Sequence, residues 1–331
     1  MPALAVARAI SAEDPSGAIL LVGKAGGPEE RLVPEAGFQL ATLPIRGLDR
    51  DAWARNLALP IVVPAAFSKA LFLVRRFRPD VVLGVGGYAM APAVAAARLL
   101  RIPYVLAVFE ASGLANRIFR AGAAAACVSF PADVQRFVTR RTVYTGYPLR
   151  AGFETRTPAI PPRRLLVMGG SQGARRIYEA VWSSLEGLLT RFEEVVHLTG
   201  AQGEARAAEL TRPGYRPLTF TPDVARLMGE ADLVVCRAGV GTLAEVTAVG
   251  LPAVVVPGSF GGGHQEANAA ELERAGAGVR IPDAELTGES LLATLDGLGG
   301  ERLAAMAAAS RALGRPAAAS LIVKVLREVA A

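Results

Sequence analysis

The sequence predicts an α/β protein of two Rossmann-like, doubly wound domains, and three observations carry that prediction. Apolar runs of strand type alternate with Ala-rich helical stretches along the chain. Two of these runs end in glycine-rich turns, about seventy residues apart, each followed by a helical pattern. A length of 331 residues is too great for one ordinary domain of this kind and comfortable for two.

The first turn reads Leu165-Leu166-Val167-Met168-Gly169-Gly170-Ser171-Gln172-Gly173-Ala174-Arg175. The second reads Ala231-Asp232-Leu233-Val234-Val235-Cys236-Arg237-Ala238-Gly239-Val240-Gly241-Thr242-Leu243-Ala244-Glu245. Glycine lets the backbone approach a ligand closely, and a helix start offers unpaired N–H groups and a positive dipole end to phosphate. Two such turns in one half of a protein suggest a nucleotide diphosphate at the carboxyl edge of a parallel sheet.

In the N-terminal half, residues 2–10 open as a helix, with Pro2 suited to a first helical position. Strands are expected at 18–22, 81–84, 103–108, 124–130 and 142–144, with helices at 67–76 and 91–100. The polar, Pro-rich stretch 155–164 reads as a linker, which divides the chain into domains 1–150 and 165–315 and a C-terminal helix from 316. Beyond it, strands are expected near 164–168, 194–198, 217–220, 232–236, 253–256 and 278–281. Residues 317–329 form an amphipathic helix with Leu321, Val325 and Val329 on one face.

Apolar residues make up 52% of the chain and aromatic residues only 6%, the profile of buried parallel sheets covered by Ala-rich helices. No apolar stretch is long enough to cross a bilayer and the first residues do not read as a signal peptide, so a cytoplasmic protein is expected. Cys127 and Cys236 both lie in strand-like runs and read as buried, reduced thiols.

Charge is unevenly divided. Residues 1–150 hold 18 Lys/Arg against 10 Asp/Glu, a net of +8, and the remainder holds 18 against 20, a net of −2. One basic half points to an anionic partner on that side. Nucleic acid is disfavoured, because no aromatic platform or zinc-finger spacing accompanies the charge. Within 59–79, Ile61, Val62, Val63, Phe67, Leu71, Phe72 and Val74 accompany Lys69, Arg75, Arg76 and Arg78. That composition suits a helix lying on an anionic membrane as well as a core-facing helix with a basic end.

Metal is not expected. Asp49-Arg50-Asp51 reads as the cap of a helix beginning at Ala52, and His197 and His264 lack spaced partners.

Several motifs in order resemble a known family. They are Gly86-Gly87-Tyr88, Gly113-Leu114-Ala115-Asn116-Arg117, Gly146-Tyr147-Pro148-Leu149-Arg150, both glycine turns, and Gln265-Glu266-Ala267-Asn268-Ala269. The family is the bacterial UDP-N-acetylglucosamine:undecaprenyl-diphosphoryl-muramoyl-pentapeptide N-acetylglucosaminyltransferases of peptidoglycan synthesis. The resemblance implies a type B glycosyltransferase that works by inversion at the cytoplasmic face of the plasma membrane, as a peripheral protein, with no obligatory cofactor. It implies UDP-N-acetylglucosamine in the C-terminal domain, and lipid-linked muramoyl-pentapeptide and membrane at the N-terminal one.

The resemblance places the UDP phosphates at Ser171, the diphosphate or uridine at Arg150, the ribose at Glu245 and the uracil at Thr221. It puts Thr242 and Leu243 in the nucleotide turn, the sugar hydroxyls at Gln265, and loop support at Asn268. Taken singly, a tight strand–helix turn explains Ser171, a first-turn acid explains Glu245, and a solvated linker residue explains Arg150. Two departures stand out. The family's first strand and its Gly-rich loop, whose His is the candidate base, should precede Pro2. An internal Met recorded as the start is favoured over a shortened homologue that has lost catalysis.

The second departure is at Phe109-Glu110-Ala111-Ser112, where the family usually reads His-Glu-Gln-Asn. Ser112 stands nearest to the expected sugar-contacting Asn, and Glu110 is a candidate base. The alternatives to catalysis of this reaction are a UDP-sugar-binding scaffold at the membrane and a glycosyltransferase for another lipid.

Overall fold

The structure, a computed structural model, describes residues 2–45, 57, 59–109, 113–169, 174–258 and 263–331. The chain divides into two compact units. One runs to Arg150 and takes in Ala317–Ala331; the other is Ala151–Pro316.

The second unit is a six-stranded parallel sheet. Its strands are β7 (Arg164–Met168), β8 (Glu194–Leu198), β9 (Tyr215–Leu218), β10 (Leu233–Cys236), β11 (Ala253–Val255) and β12 (Gly278–Arg280). They lie in the order β12-β11-β10-β7-β8-β9. The runs Leu-Leu-Val, Leu-Val-Val and Ala-Val-Val form β7, β10 and β11 because each is buried on both faces. Chain order reverses between β10 and β7, where Val235 stands opposite Val167 and Cys236 opposite Met168. Helices α7 (Arg175–Ser183), α9 (Gly200–Glu209), α11 (Val240–Val249) and α12 (His264–Arg274) each follow a strand. Strand β9 begins two residues earlier than expected, because Tyr215 pairs with Val195 and is itself buried.

The stretch expected as a linker is anchored to this unit. Arg156 Nη2 and Ala159 N donate to Asp232 Oδ1 at 2.6 and 2.8 Å, and the N–H groups of Arg163 and Arg164 donate to Oδ2 at 3.0 and 3.1 Å. Asp232 is buried, so its carboxylate exchanges water for these four donors.

The first unit contains two parallel sheets. Strands β1 (Leu20–Lys24) and β2 (Gln39–Leu43) pair with each other; β3 (Val82–Val85), β4 (Tyr104–Val108), β5 (Ala125–Val128) and β6 (Thr142–Tyr144) pair in sequence order. Among the described residues, β1 and β3 each keep one edge unpaired, and β1 packs beside the Tyr88–Met90 turn that follows β3. Strand β2 and the short helix α2 (Glu29–Glu35) carry no strong periodic signal, and neither was expected from the sequence.

Helix α3 spans Leu59–Phe77, eight residues longer at its start than expected. It buries Ala66, Ala70 and Val74 against α4 (Ala91–Leu99) and leaves Ile61, Val63 and Phe72 exposed. The C-terminal helix α15 (Ala318–Ala330) packs on α1 (Pro2–Glu13) and on β4 and β5. Its buried stripe is Ile322, Val323, Val325 and Leu326, with Val329 beside it. Leu321 belongs to the outer face, at 36% exposure, which corrects the expected stripe.

Both cysteines are free and buried, and burial pushes each thiol up to about 12. No described helix is long and apolar enough to cross a membrane. The expected cap at Asp49–Asp51 lies outside the described residues.

Candidate functional site

Where chain order reverses in a parallel sheet, the loops after neighbouring strands diverge and leave a crevice at the carboxyl edge. Here that crevice lies between β7 and β10.

On the β7 side the strand ends at Met168 and gives way to Gly169. A Cβ at Gly169 would come 2.9 Å from Ala174 N and 2.7 Å from both Ala174 Cβ and Tyr178 Oη. Only glycine fits so tight a return to α7, which explains one glycine of the motif through packing. Ser171 lies outside the described residues, as do Glu110 and Ser112.

On the β10 side, Arg237 and Ala238 are buried and Gly239 holds an extended conformation before α11 begins. The first bond inside this helix runs from Leu243 N to Gly239 O at 2.9 Å. The N–H groups of Val240, Gly241 and Thr242 have no partner within the helix and collect its positive dipole end. Thr242 is half-buried there. Leu243 is fully buried and its N–H is committed, so it packs beneath the turn and offers a ligand neither side chain nor N–H.

Glu245 stands one turn further along, half-buried. Its charge adds to the effect of burial in raising the Cys236 thiol, so the carboxylate lies close to the end of β10.

Helix α12 ties two loops together. Gln265 Oε1 accepts from Gly258 N at 2.8 Å, after β11, and Asn268 Nδ2 donates to Ala238 O at 3.0 Å, after β10. The Gln265 carbonyl is used in holding its loop. Asn268 supports the turn before α11.

Thr221 follows the edge strand β9 beside Phe220, which is 79% exposed. Thr221 Oγ1 accepts from Asp223 N at 3.1 Å, and Asp223 caps the next helix through Arg226 N at 3.1 Å. Arg150 is exposed and belongs to the first unit. The structure therefore gathers Thr242, Glu245, Gln265 and Asn268 about the ends of β10 and β11, with Thr221 at the far edge of the same sheet.

Sequence reasoning did not single out Tyr178, Arg237 or Asp283. Arg237 is buried and forms an ion pair with Asp283, which also meets Arg176 Nε at 3.3 Å. This pairing crosses from β10 to the loop before the helix at Gly288–Asp296. Its only sequence signal is an arginine at the end of an apolar strand run.

A glycine turn and a helix start at the reversal point of a parallel sheet define a nucleotide-binding α/β protein. Comparison with known proteins narrows that class. The Glycosyltransferase family 28 N-terminal domain matches residues 1–126, and the family 28 C-terminal domain matches residues 164–322. The UDP-N-acetylglucosamine--N-acetylmuramyl-(pentapeptide) pyrophosphoryl-undecaprenol N-acetylglucosamine transferase of Desulforudis audaxviator is 37% identical, with 99% of this chain and 95% of that protein covered. The protein of the same name from Syntrophotalea carbinolica is 38% identical, again covering 99% and 95%. The crystal structure of Acinetobacter baumannii MurG superposes with a TM-score of 0.79 at 29% identity, covering 99% of this chain and 95% of that one. The chain belongs to glycosyltransferase family 28, and it is a glycosyltransferase with two parallel-sheet α/β domains.

Proposed function

We propose that this protein transfers N-acetylglucosamine from UDP-N-acetylglucosamine to undecaprenyl-diphosphoryl-muramoyl-pentapeptide, with inversion, in peptidoglycan synthesis. The observation that carries the reading is the β7–β10 crevice with Glu245 and Gln265 beside it, in a chain so similar to transferases of that name.

An acceptor hydroxyl attacks the anomeric carbon as the UDP oxygen leaves from the opposite face. A base takes the hydroxyl proton, and the charge growing on the diphosphate is met by N–H groups at the helix starts and by Arg150. Glu245 accepts from the ribose hydroxyls, Thr221 meets the uracil, and Ser171 lies in the turn that holds the phosphates. The base belongs to the acceptor side.

Replacing Glu245 or Gln265 by Ala is expected to weaken UDP-N-acetylglucosamine binding by about ten-fold or more, the scale of one lost charged or neutral hydrogen bond in a closed site. Unchanged affinity in both variants, by calorimetric titration, would remove this site map.

The membrane side of the reading rests on Ile61, Val63 and Phe72, exposed on α3 beside the exposed Lys69, Arg75 and Arg76. Leu114 and Ile118 on the helix at Leu114–Phe119 are exposed as well. Together with the net charge of +8 over residues 1–150, they suit the cytoplasmic face of an anionic membrane, where the lipid-linked acceptor resides. The double variant Ile61→Glu and Phe72→Glu is expected to lose most sedimentation with anionic vesicles while still binding UDP. Equal sedimentation of variant and parent would place the membrane face elsewhere.

The direct test is transfer of labelled N-acetylglucosamine to a lipid-linked muramoyl-peptide, by the chain of 331 residues and by a form extended at its N-terminus. Transfer by either supports the reading. UDP-sugar binding without transfer in both forms points to the scaffold.

A further inference from the structure

Arg237 is a buried charge at the end of an apolar strand, and stability does not explain it. Its side chain is 10% exposed and pairs with Asp283 Oδ1, while Asp283 Oδ2 meets Arg176 on α7. A buried ion pair gives back in attraction about what it costs to leave water, and well-packed apolar residues in its place are often as stable or more so. An arginine here needs a second reason, and its other hydrogen bond supplies one.

Arg237 Nη1 donates to Val256 O at 3.2 Å. Val256 is fully buried one residue past β11; its N–H donates to Cys236 O at 2.9 Å, but its carbonyl lies beyond the last pair of the sheet. A buried carbonyl needs a donor, and Arg237 reaches it from the neighbouring strand end. The same Nη1 donates to Asp283 Oδ1, so the two N–H bonds of one nitrogen serve the carbonyl and the carboxylate that aims it. Two residues beyond Val256, Gly258 N donates to Gln265 Oε1, and Asn268 Nδ2 donates to Ala238 O, the residue after Arg237. These bonds close a ring. Gln265 and Asn268 tie α12 to one loop each, and Arg237 ties the two loops to each other.

We propose that Arg237 is a positioning residue for Gln265: by holding the Val256 carbonyl it sets the loop whose Gly258 N–H fixes the Gln265 side chain, and so shapes the sugar end of the donor site. The inference rests on the nucleotide-sugar reading above, in which Gln265 meets the sugar hydroxyls. It assigns Arg237 no contact with the ligand.

Arg237→Met keeps the apolar stem and removes the donor, while Asp283 retains Arg176. By calorimetric titration, UDP-N-acetylglucosamine affinity is expected to fall by about ten-fold and UDP affinity to stay within about two-fold, since the loss is confined to the sugar. Arg237→Lys, which keeps charge and donors on a shorter stem, is expected to recover part of that loss with the same split between the two ligands. In a Gln265→Ala background, Arg237→Met is expected to cost nothing further, because the side chain it positions is gone. Unaltered UDP-N-acetylglucosamine affinity in Arg237→Met would overturn the proposal and leave the nucleotide-sugar reading standing. Equal losses for UDP and UDP-N-acetylglucosamine, or losses that add to those of Gln265→Ala, would overturn it in favour of a general role in packing. Failure of the parent protein to bind either ligand, or of Gln265→Ala to weaken the sugar nucleotide, would overturn the underlying reading of the site, and the proposal with it.

Discussion

Asp232→Ala is expected to lower the unfolding midpoint of the C-terminal unit by about 10 °C, the shift that several kcal/mol produces in a unit of this size. The carboxylate is 5% exposed and accepts from Arg156 Nη2, Ala159 N, Arg163 N and Arg164 N. Removing it takes the charged partner from Arg156, whose Nη1 keeps only the Gly229 carbonyl, and leaves three backbone N–H groups without their acceptor. Breaking a buried pair from one side costs about 3–5 kcal/mol, because the partners are left desolvated and unmatched. Asp232→Asn keeps the shape but turns an amide NH2 toward N–H groups, so it too is expected to destabilise, by a smaller amount. Scanning calorimetry of the full chain reads the effect directly. A midpoint within 2 °C of the parent, about the resolution at which one kcal/mol is seen, would mean that the segment after Thr155 is held by other contacts.

Acid is expected to destabilise the same unit through His197. This residue is fully buried, and burial lowers its pKa from 6.5 to about 3. The folded protein therefore holds neutral imidazole where the unfolded chain becomes protonated. Stability from this source is complete above about pH 6.5 and drains away as pH falls toward 3, because protons bind the unfolded state more readily over that window. The full difference is of order 5 kcal/mol. His197→Asn keeps a hydrogen-bonding side chain opposite Tyr215 and does not titrate. It is expected to be less stable than the parent at neutral pH, with a shallower loss between pH 6.5 and 4. Parallel pH profiles for the two proteins would assign the acid sensitivity to other groups.

These two residues show where the sequence is informative and where it is silent. Strands β4, β7 and β10 are legible because their Val- and Leu-rich runs are buried on both faces and stop at glycine or a polar turn. Glu245 and Gln265 stand out only through the resemblance of their motifs to the family, because a first-turn acid taken alone also reads as a partner of the helix dipole. The anchor at Asp232 is hidden, since its donors lie about seventy residues earlier and no local pattern pairs them. The same holds for His197, whose environment is made by Trp182 and Tyr215 from separate elements. Strand β2 has only a Gln-Leu-Ala-Thr-Leu pattern, in which burial is confined to Leu43. On α15, Leu321 and Ile322 are equally apolar, and only packing against α1 decides that Ile322 faces inward.

The return of α15 to the first unit bears on the order in which the molecule can be assembled. Val6 on α1 shares its apolar cluster with Ile322, Val323, Val325 and Leu326, and Arg327 meets Glu13 at 3.0 Å. During synthesis, α1 emerges long before those partners, and the whole of Ala151–Pro316 is made in between. The C-terminal unit can close on itself as soon as it is translated, whereas the unit begun first must wait with one side of its sheet uncovered. A nascent chain stalled before Ala317 is therefore expected to contain a finished second unit and an open first one, ready to be captured by a chaperone.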